Sequence, residues 1–226
     1  MTARMLYDLS VQPFSVGDVL NYQLVSLMLR APGEAVDFVI AYDPAKPVIG
    51  DRNLAHIARD FTGNLPWLEG AARFNAHLGR VDVLTHQELR ASGVTVTWPT
   101  PRETGYNKYR IIRMLDEYYA KHGMVHELSS PAATKQWALD YLGRHGQTVI
   151  QLRLNRQNPQ RNSDFSQWEQ FIRDRADEKF VIVCAPHECV DFPRLANVTF
   201  AADEVGCDVE KICSLVCEAD YYLGMS

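Results

Sequence analysis

What this chain lacks narrows its function before anything it contains. Its 226 residues carry a formal net charge of −5 and hold no lysine-rich run, so the electrostatic footprint of a nucleic-acid binder is missing. No apolar run is long enough to span a bilayer. The first residues do not make a secretory leader either. Arg4 and Asp8 interrupt them, and Pro13, Gly17, Asp18 and Asn21 break the apolar stretch that follows. All five cysteines lie in the last fifth of the chain, and an odd number placed in that way is not a secreted disulfide framework. Together these absences predict a soluble, cytoplasmic protein. There is no GxGxxG, hence no dinucleotide fingerprint. There is also no Asp-x-Asp triplet, hence no signal for a metal-bridged diphosphate.

What is present alternates in character. Met5–Val11 is a candidate strand, followed by a turn with a helix cap at Ser15 or Asp18. Val19, Leu20, Leu24, Leu27 and Met28 then give one side of a helix, which Pro32-Gly33 stops. Val36–Tyr42 is a second strand. Strand, helix and strand in that order open a Rossmann-like sheet. The tight turn at Gly17-Asp18 falls where such sheets place ligands, which makes Gly17 a binding candidate and Asp18 a catalytic one, with a plain helix cap as the alternative for Asp18. Asp51–Thr62 has helical spacing, Gly63–Gly70 reads as a loop carrying Pro66 and Trp67, and Ala71–Leu78 as a short helix. Arg80–Leu84 and Val94–Trp98 are strand candidates. Tyr106–His122 is the strongest helix of this half, and a further helix begins at Pro131 and ends at Gly143. The division between two lobes is expected there, at residues 1–143 and 144–226.

The stretch most charged with chemistry is Thr148–Phe171, TVIQLRLNRQNPQRNSDFSQWEQF. It opens as a buried strand, breaks into a polar loop carrying Arg153, Arg156 and Arg161, and re-enters helix at Ser163 or Asp164. Phe165, Trp168, Phe171 and Ile172 form that helix's apolar stripe. In an open α/β sheet the loop leaving a strand's carboxyl end faces the ligand crevice. A helix start offers free N–H groups, and arginine offers forked donors that match phosphate or carboxylate. The expected guest is an anion, a phosphate or diphosphate. Downstream, Lys179–Cys184 and Asn197–Phe200 read as strands and Asp208–Tyr222 as a helix. Cys184-x-x-His187-x-Cys189 lacks a standard zinc spacing, and Cys213 and Cys217 sit on an apolar helix face, where cysteine acts as a small hydrophobe.

A β/α lobe, a helical connection and a second β/α lobe opening with VIQLR, a basic loop and RNSDFSQW resembles the GT-B-fold glycosyltransferases, the uncharacterised bacterial members most of all. The likeness is specific around Leu152–Trp168 and diffuse elsewhere, though FVIVCAP and EKICSLVCEADYYLG resemble the family's later donor-side elements. The resemblance implies an α/β fold of two Rossmann-like lobes, acceptor side first and donor side second. It implies a metal-independent transfer of sugar from a nucleotide-sugar donor to a glycan or small-molecule acceptor, with no cofactor. Arg153 would contact the diphosphate, Arg156 and Arg161 would assist, and Asn162 and Ser163 would donate at the helix start. The acceptor's proton would go to a first-lobe group, Asp8, Asp18 or His56. The second lobe is short against a usual domain of ~100–150 residues, so the resemblance also implies a truncated or reduced relative. The alternative expectation is a non-catalytic nucleotide- or sugar-binding module that keeps the fold.

Overall fold

The computed structural model describes residues 3–45, 61–98, 108–154, 159–185, 187–188 and 190–224. The chain divides into two units, residues 1–129 and 130–226. Each is an α/β unit built on a parallel sheet, as the alternation of strand and helix predicts. Among the described residues, no helix is long and apolar enough to cross a membrane.

The first unit runs β1 (Ala3–Asp8), α1 (Val16–Leu29), β2 (Val36–Tyr42), α2 (Phe61–Ala72), β3 (Leu78–Thr85), α3 (His86–Ala91) and α4 (Lys108–His122). The sheet order is β1-β2-β3, with every pairing parallel. Central β2 is buried from Val36 to Ala41, the near-continuous run a covered parallel strand requires. Asp37 is tolerated in that run because the guanidinium groups of Arg4 and Arg80 approach its carboxylate at 3.6 and 3.5 Å. Ser15 caps α1, its hydroxyl accepting from the Asp18 N–H. Behind the sheet, Asn75 Nδ2 donates to Gln23 Oε1 and Ser26 Oγ, while Gln23 Nε2 donates to Ala72 O. That buried network ties α1 to the end of α2, each polar atom finding a partner where an unpaired one would cost ~1–3 kcal/mol.

Three expectations here are corrected. Ala71–Leu78 is not a helix of its own, since Ala71 and Ala72 end α2 and Leu78 opens β3. Gly63–Gly70 is not a loop but the body of α2, with Pro66 inside the helix. Leu65, Leu68, Ala71 and Ala72 are all buried on that helix, and this packing outweighs the local helix breakers. Val94–Trp98 is not a regular strand. It touches β1 through one parallel bridge, Met5 to Trp98, with Leu6 N donating to Trp98 O at 2.9 Å. The helix expected over Asp51–Thr62 lies almost wholly outside the described residues.

The second unit runs α5 (Ala132–His145), β4 (Thr148–Gln151), a single 3-10 turn (Pro159–Arg161), α6 (Phe165–Arg173), β5 (Phe180–Val183), β6 (Val198–Phe200), α7 (Ala202–Val205), α8 (Val209–Glu218) and β7 (Tyr221–Gly224). Its sheet order is β6-β5-β4-β7, again all parallel. The period of two sorts the core. Val149, Val181 and Val183 pack on one face with Ala138, Leu142 and Leu215 from α5 and α8. Ile150, Phe180 and Ile182 pack on the other with Ile172 of α6, where Phe165, Trp168 and Phe171 lie against them. Gly146 enters β4 at φ 125°, a backbone only glycine adopts readily. The helix expected over Asp208–Tyr222 stops at Glu218, and Tyr221–Gly224 is instead β7, paired with Thr148–Gln151. The backbone bonds of β4 decide this, because the Tyr-Tyr-Leu pattern itself suits either state.

Candidate functional sites at two sheet ends

In the second unit the chain leaves β4 through α6 on one face and returns to β7 from α8 on the opposite face. The carboxyl end of β4 is therefore a topological switch point, where open α/β sheets bind ligands. Arg153 stands there, two residues beyond the end of β4. Its backbone is pinned twice by Ser163: Arg153 N donates to Ser163 Oγ and Ser163 N donates to Arg153 O, each at 2.9 Å. Its guanidinium, half-buried, makes no hydrogen bond or ion pair among the described residues. A forked cation is thus held at a ligand edge with its donors unclaimed among the described residues.

The helix start beside it behaves differently from expectation. Asp164 caps α6, Oδ1 accepting from the N–H groups of Ser166 and Gln167 at 3.1 and 3.2 Å and from the Ser166 hydroxyl. Gln167 Nε2 donates to Oδ2. These bonds, the Ser166 hydroxyl foremost, hold the Asp164 carboxyl below its ordinary range. The helix N-terminus that was to receive an anion already holds one. Ser163, expected as a ligand donor, accepts the Arg153 N–H on its hydroxyl oxygen and donates its own N–H to Arg153 O, so both groups shape the loop. Asn162 is half-buried and partnered. Arg161 contributes the last residue of the 3-10 turn, and its side chain, like all of Arg156, lies outside the described residues.

In the first unit the Trp98 segment flanks β1 on the side away from β2, so the carboxyl end of β1 is the comparable edge. Asp8 ends that strand, and Oδ1 accepts from Ser10 N at 2.8 Å. Gly17 and Asp18 lie in the first turn of α1, where a carboxylate favours the helix dipole. His56 lies outside the described residues. Tyr22 packs edge-on to Tyr7 at 4.9 Å and to Trp98 at 4.8 Å. Burial pushes its phenol far up, and the charges of Asp18 and then Asp8 push the same way. Gln12, 1 % exposed on the loop leaving β1, has neither amide oxygen nor nitrogen bonded among the described residues.

One residue of this edge has no counterpart among the sequence candidates. His86, the first residue of α3, places Nε2 at 2.8 Å from Asp8 Oδ1, with β2 between their strands. A capping box fixes the start of α3, the Thr85 hydroxyl accepting from Glu88 N while Glu88 Oε2 accepts from Thr85 N. The sequence signal was that Thr85-x-x-Glu88 box, which marks a helix start at the carboxyl end of β3.

Other candidates carry less. Cys184 is disulfide-bonded and cannot serve zinc, and burial pushes the Cys213 thiol up to about 12, far from thiolate chemistry. Among the described residues no group of three or more His, Cys, Asp and Glu could hold a metal. A cavity of about 390 Å³ lies along edge strand β6, lined by Tyr141, His145, Arg194 and Asp203 among others. Its guanidinium, Arg194, is already bound by both oxygens of Asp203.

No family model and no curated protein matches the sequence. Solved structures similar to it include a glycosyl transferase family 9 structure from Veillonella parvula DSM 2008, at 12% identity and TM-score 0.48, covering 98% of this chain and 74% of that one. The E. coli heptosyltransferase WaaC with ADP-2-deoxy-2-fluoro heptose is similar at 17% identity and TM-score 0.45, covering 99% of this chain and 82% of that one. The same enzyme with ADP gives 17% identity and TM-score 0.44, with coverage of 99% and 81%.

Proposed function

We propose that this protein is a glycosyltransferase that takes a sugar from a nucleotide-sugar donor without a metal and passes it to a hydroxyl acceptor. The observation that carries the reading is Arg153, clamped by Ser163 at the carboxyl end of β4 with no protein anion on its guanidinium among the described residues. The leaving nucleoside diphosphate gains charge as its bond to the sugar breaks. A fixed guanidinium stabilises that charge more in the transition state than in the ground state, which is what accelerates the step. Arg156 and Arg161, from the same loop, are assigned as its helpers, and Ser163 as the residue that positions Arg153. The sequence likeness over Leu152–Trp168 supports the same assignment.

The acceptor hydroxyl must lose a proton as it attacks, and that role is assigned to the first unit. Its carboxyl edge carries Asp8, His86 and Asp18, and acidic or imidazole groups are what general-base catalysis requires. His56 is kept as a further candidate base of this unit, and Gly17 as a backbone contact in the α1 turn. The test is incubation with a panel of nucleoside diphosphate sugars, reading release of nucleoside diphosphate. One donor class should be turned over by the parent and lost in Arg153→Ala. No release from any donor, together with no binding of any nucleoside diphosphate, contradicts the proposal.

The non-catalytic binding module is favoured by one observation, the Asp164 carboxylate filling the N-terminus of α6. It removes a helix-dipole contribution that a diphosphate would otherwise use. Binding of a nucleoside diphosphate without turnover of any sugar donor is the result that this second reading expects.

A further inference from the structure

We infer that His86, oriented by Asp8, is the group on the first unit that takes a proton from a hydroxyl-bearing substrate, its Nδ1 serving as the base. The inference rests on the glycosyltransferase reading for the identity of the reaction, and on the geometry of the pair for everything else.

The tautomer follows from the partner. Asp8 Oδ1 already accepts the Ser10 N–H, and an ionised carboxylate can only accept. The 2.8 Å contact to His86 Nε2 is therefore an Nε2–H donation, which leaves the lone pair of a neutral ring on Nδ1. No other hydrogen bond of this half-buried ring exists among the described residues, and Nδ1 is not one of the buried atoms left without a partner. Among the described residues Nδ1 is thus unclaimed, on a side chain 22% exposed. A carboxylate behind an imidazole fixes its tautomer and orientation and stabilises the imidazolium that forms.

Two further facts favour a substrate here over a mere surface pair. The ring is held from both ends of its backbone, since the Thr85–Glu88 capping box sets the start of α3 and β3 pairs with β2 up to Tyr42–Thr85. The loop leaving β1 also buries Gln12, whose carboxamide has no partner among the described residues. A buried amide in that state is destabilising until a hydrogen-bond partner, a ligand hydroxyl or a water, satisfies it. In the proposed step the acceptor O–H proton moves to Nδ1 as the acceptor oxygen bonds to the sugar. The sugar's bond to the diphosphate breaks, and its electron pair leaves with the nucleoside diphosphate. The Nε2 proton stays on the ring, hydrogen-bonded to Asp8.

The experiment needs no knowledge of donor or acceptor. The full chain is treated briefly with diethyl pyrocarbonate at neutral pH, which acylates an unprotonated imidazole nitrogen, and the rate at each of the seven histidines is read by peptide mass spectrometry. His86 should react faster than His122, which is more exposed. Asp8→Asn, which keeps the size of the side chain, and Asp8→Ala should each slow His86 by about tenfold, the low end of what a hydrogen bond to a charged partner contributes. Neither should alter the rate at His122, and that unchanged rate checks that the fold survives. A His86 that reacts no faster than His122, or that reacts equally in parent and both variants, overturns the assignment. If no sugar donor is turned over while His86 shows the expected reactivity, the reaction assigned above fails and the poised base stands.

Discussion

Ser163 and Arg153 bond to each other through both backbone directions, Arg153 N to Ser163 Oγ and Ser163 N to Arg153 O, each at 2.9 Å. A loop of ten residues' separation is closed at its neck by this pair. Ser163 is buried, so Ser163→Ala leaves the Arg153 N–H without an acceptor where water cannot easily replace it. The expected loss of stability is ~1–3 kcal/mol, measured by urea unfolding. Nucleoside diphosphate affinity should fall with it, because the arginine is no longer presented in one place.

Arg153→Ala separates chemistry from scaffolding. A charge-assisted contact to phosphate contributes ~1.5–3 kcal/mol, so affinity for a nucleoside diphosphate should fall roughly ten- to a hundredfold by titration calorimetry. The guanidinium has no described partner to lose. The melting temperature should therefore move by only a few degrees.

Gly146→Ala tests the entry to β4. An added Cβ would run into Lys179 O, a backbone atom that cannot swing away, at a φ of 125°. Strain of that kind costs ~1–3 kcal/mol before the overlap is counted. A urea midpoint as high as the parent's would mean that the β4 entry is not shaped as described.

The Asp164 cap carries a pH dependence of known sign. Its carboxyl is held below the ordinary range, chiefly by the Ser166 hydroxyl and the Gln167 N–H. A lowered folded value means that the stabilisation is present above the ordinary carboxylate value of about 4. It is lost as pH falls through the folded value. Asp164→Asn keeps a capping group but does not titrate there. The parent's advantage over this variant in thermal melts should shrink steadily on acidification, and an advantage that grows instead would contradict the cap.

Legibility in the sequence followed the range of the interactions. Strand β2 was readable to the residue, because six consecutive buried positions leave a local mark. The cap of α6 lay at one of the two residues that its chemistry proposed. Tyr221 and Tyr222 read as the end of a helix, since only pairing with Thr148 and Val149 makes them strand. Pro66 hid α2 in the same way, its penalty being outweighed by contacts made elsewhere. At the sites, Arg153 could be picked out from a strand end and a cluster of charge. His86 could not, because its partner Asp8 is 78 positions away and the Thr85–Glu88 box announces only a helix start. The filling of the α6 N-terminus was legible in principle, since Asp164 was named as a cap and a cap with a carboxylate is itself the anion.

The most direct measurement of the central claim is an amide ¹H–¹⁵N map of the isotopically labelled chain titrated with ADP, UDP and GDP in turn. The account predicts that one of them shifts a contiguous set at the carboxyl end of β4, from Leu152 through Ser163, saturably and with Arg153→Ala abolishing the response. Shifts confined to the β6 edge around His145 and Thr199, or no saturable shift with any of the three, would contradict it.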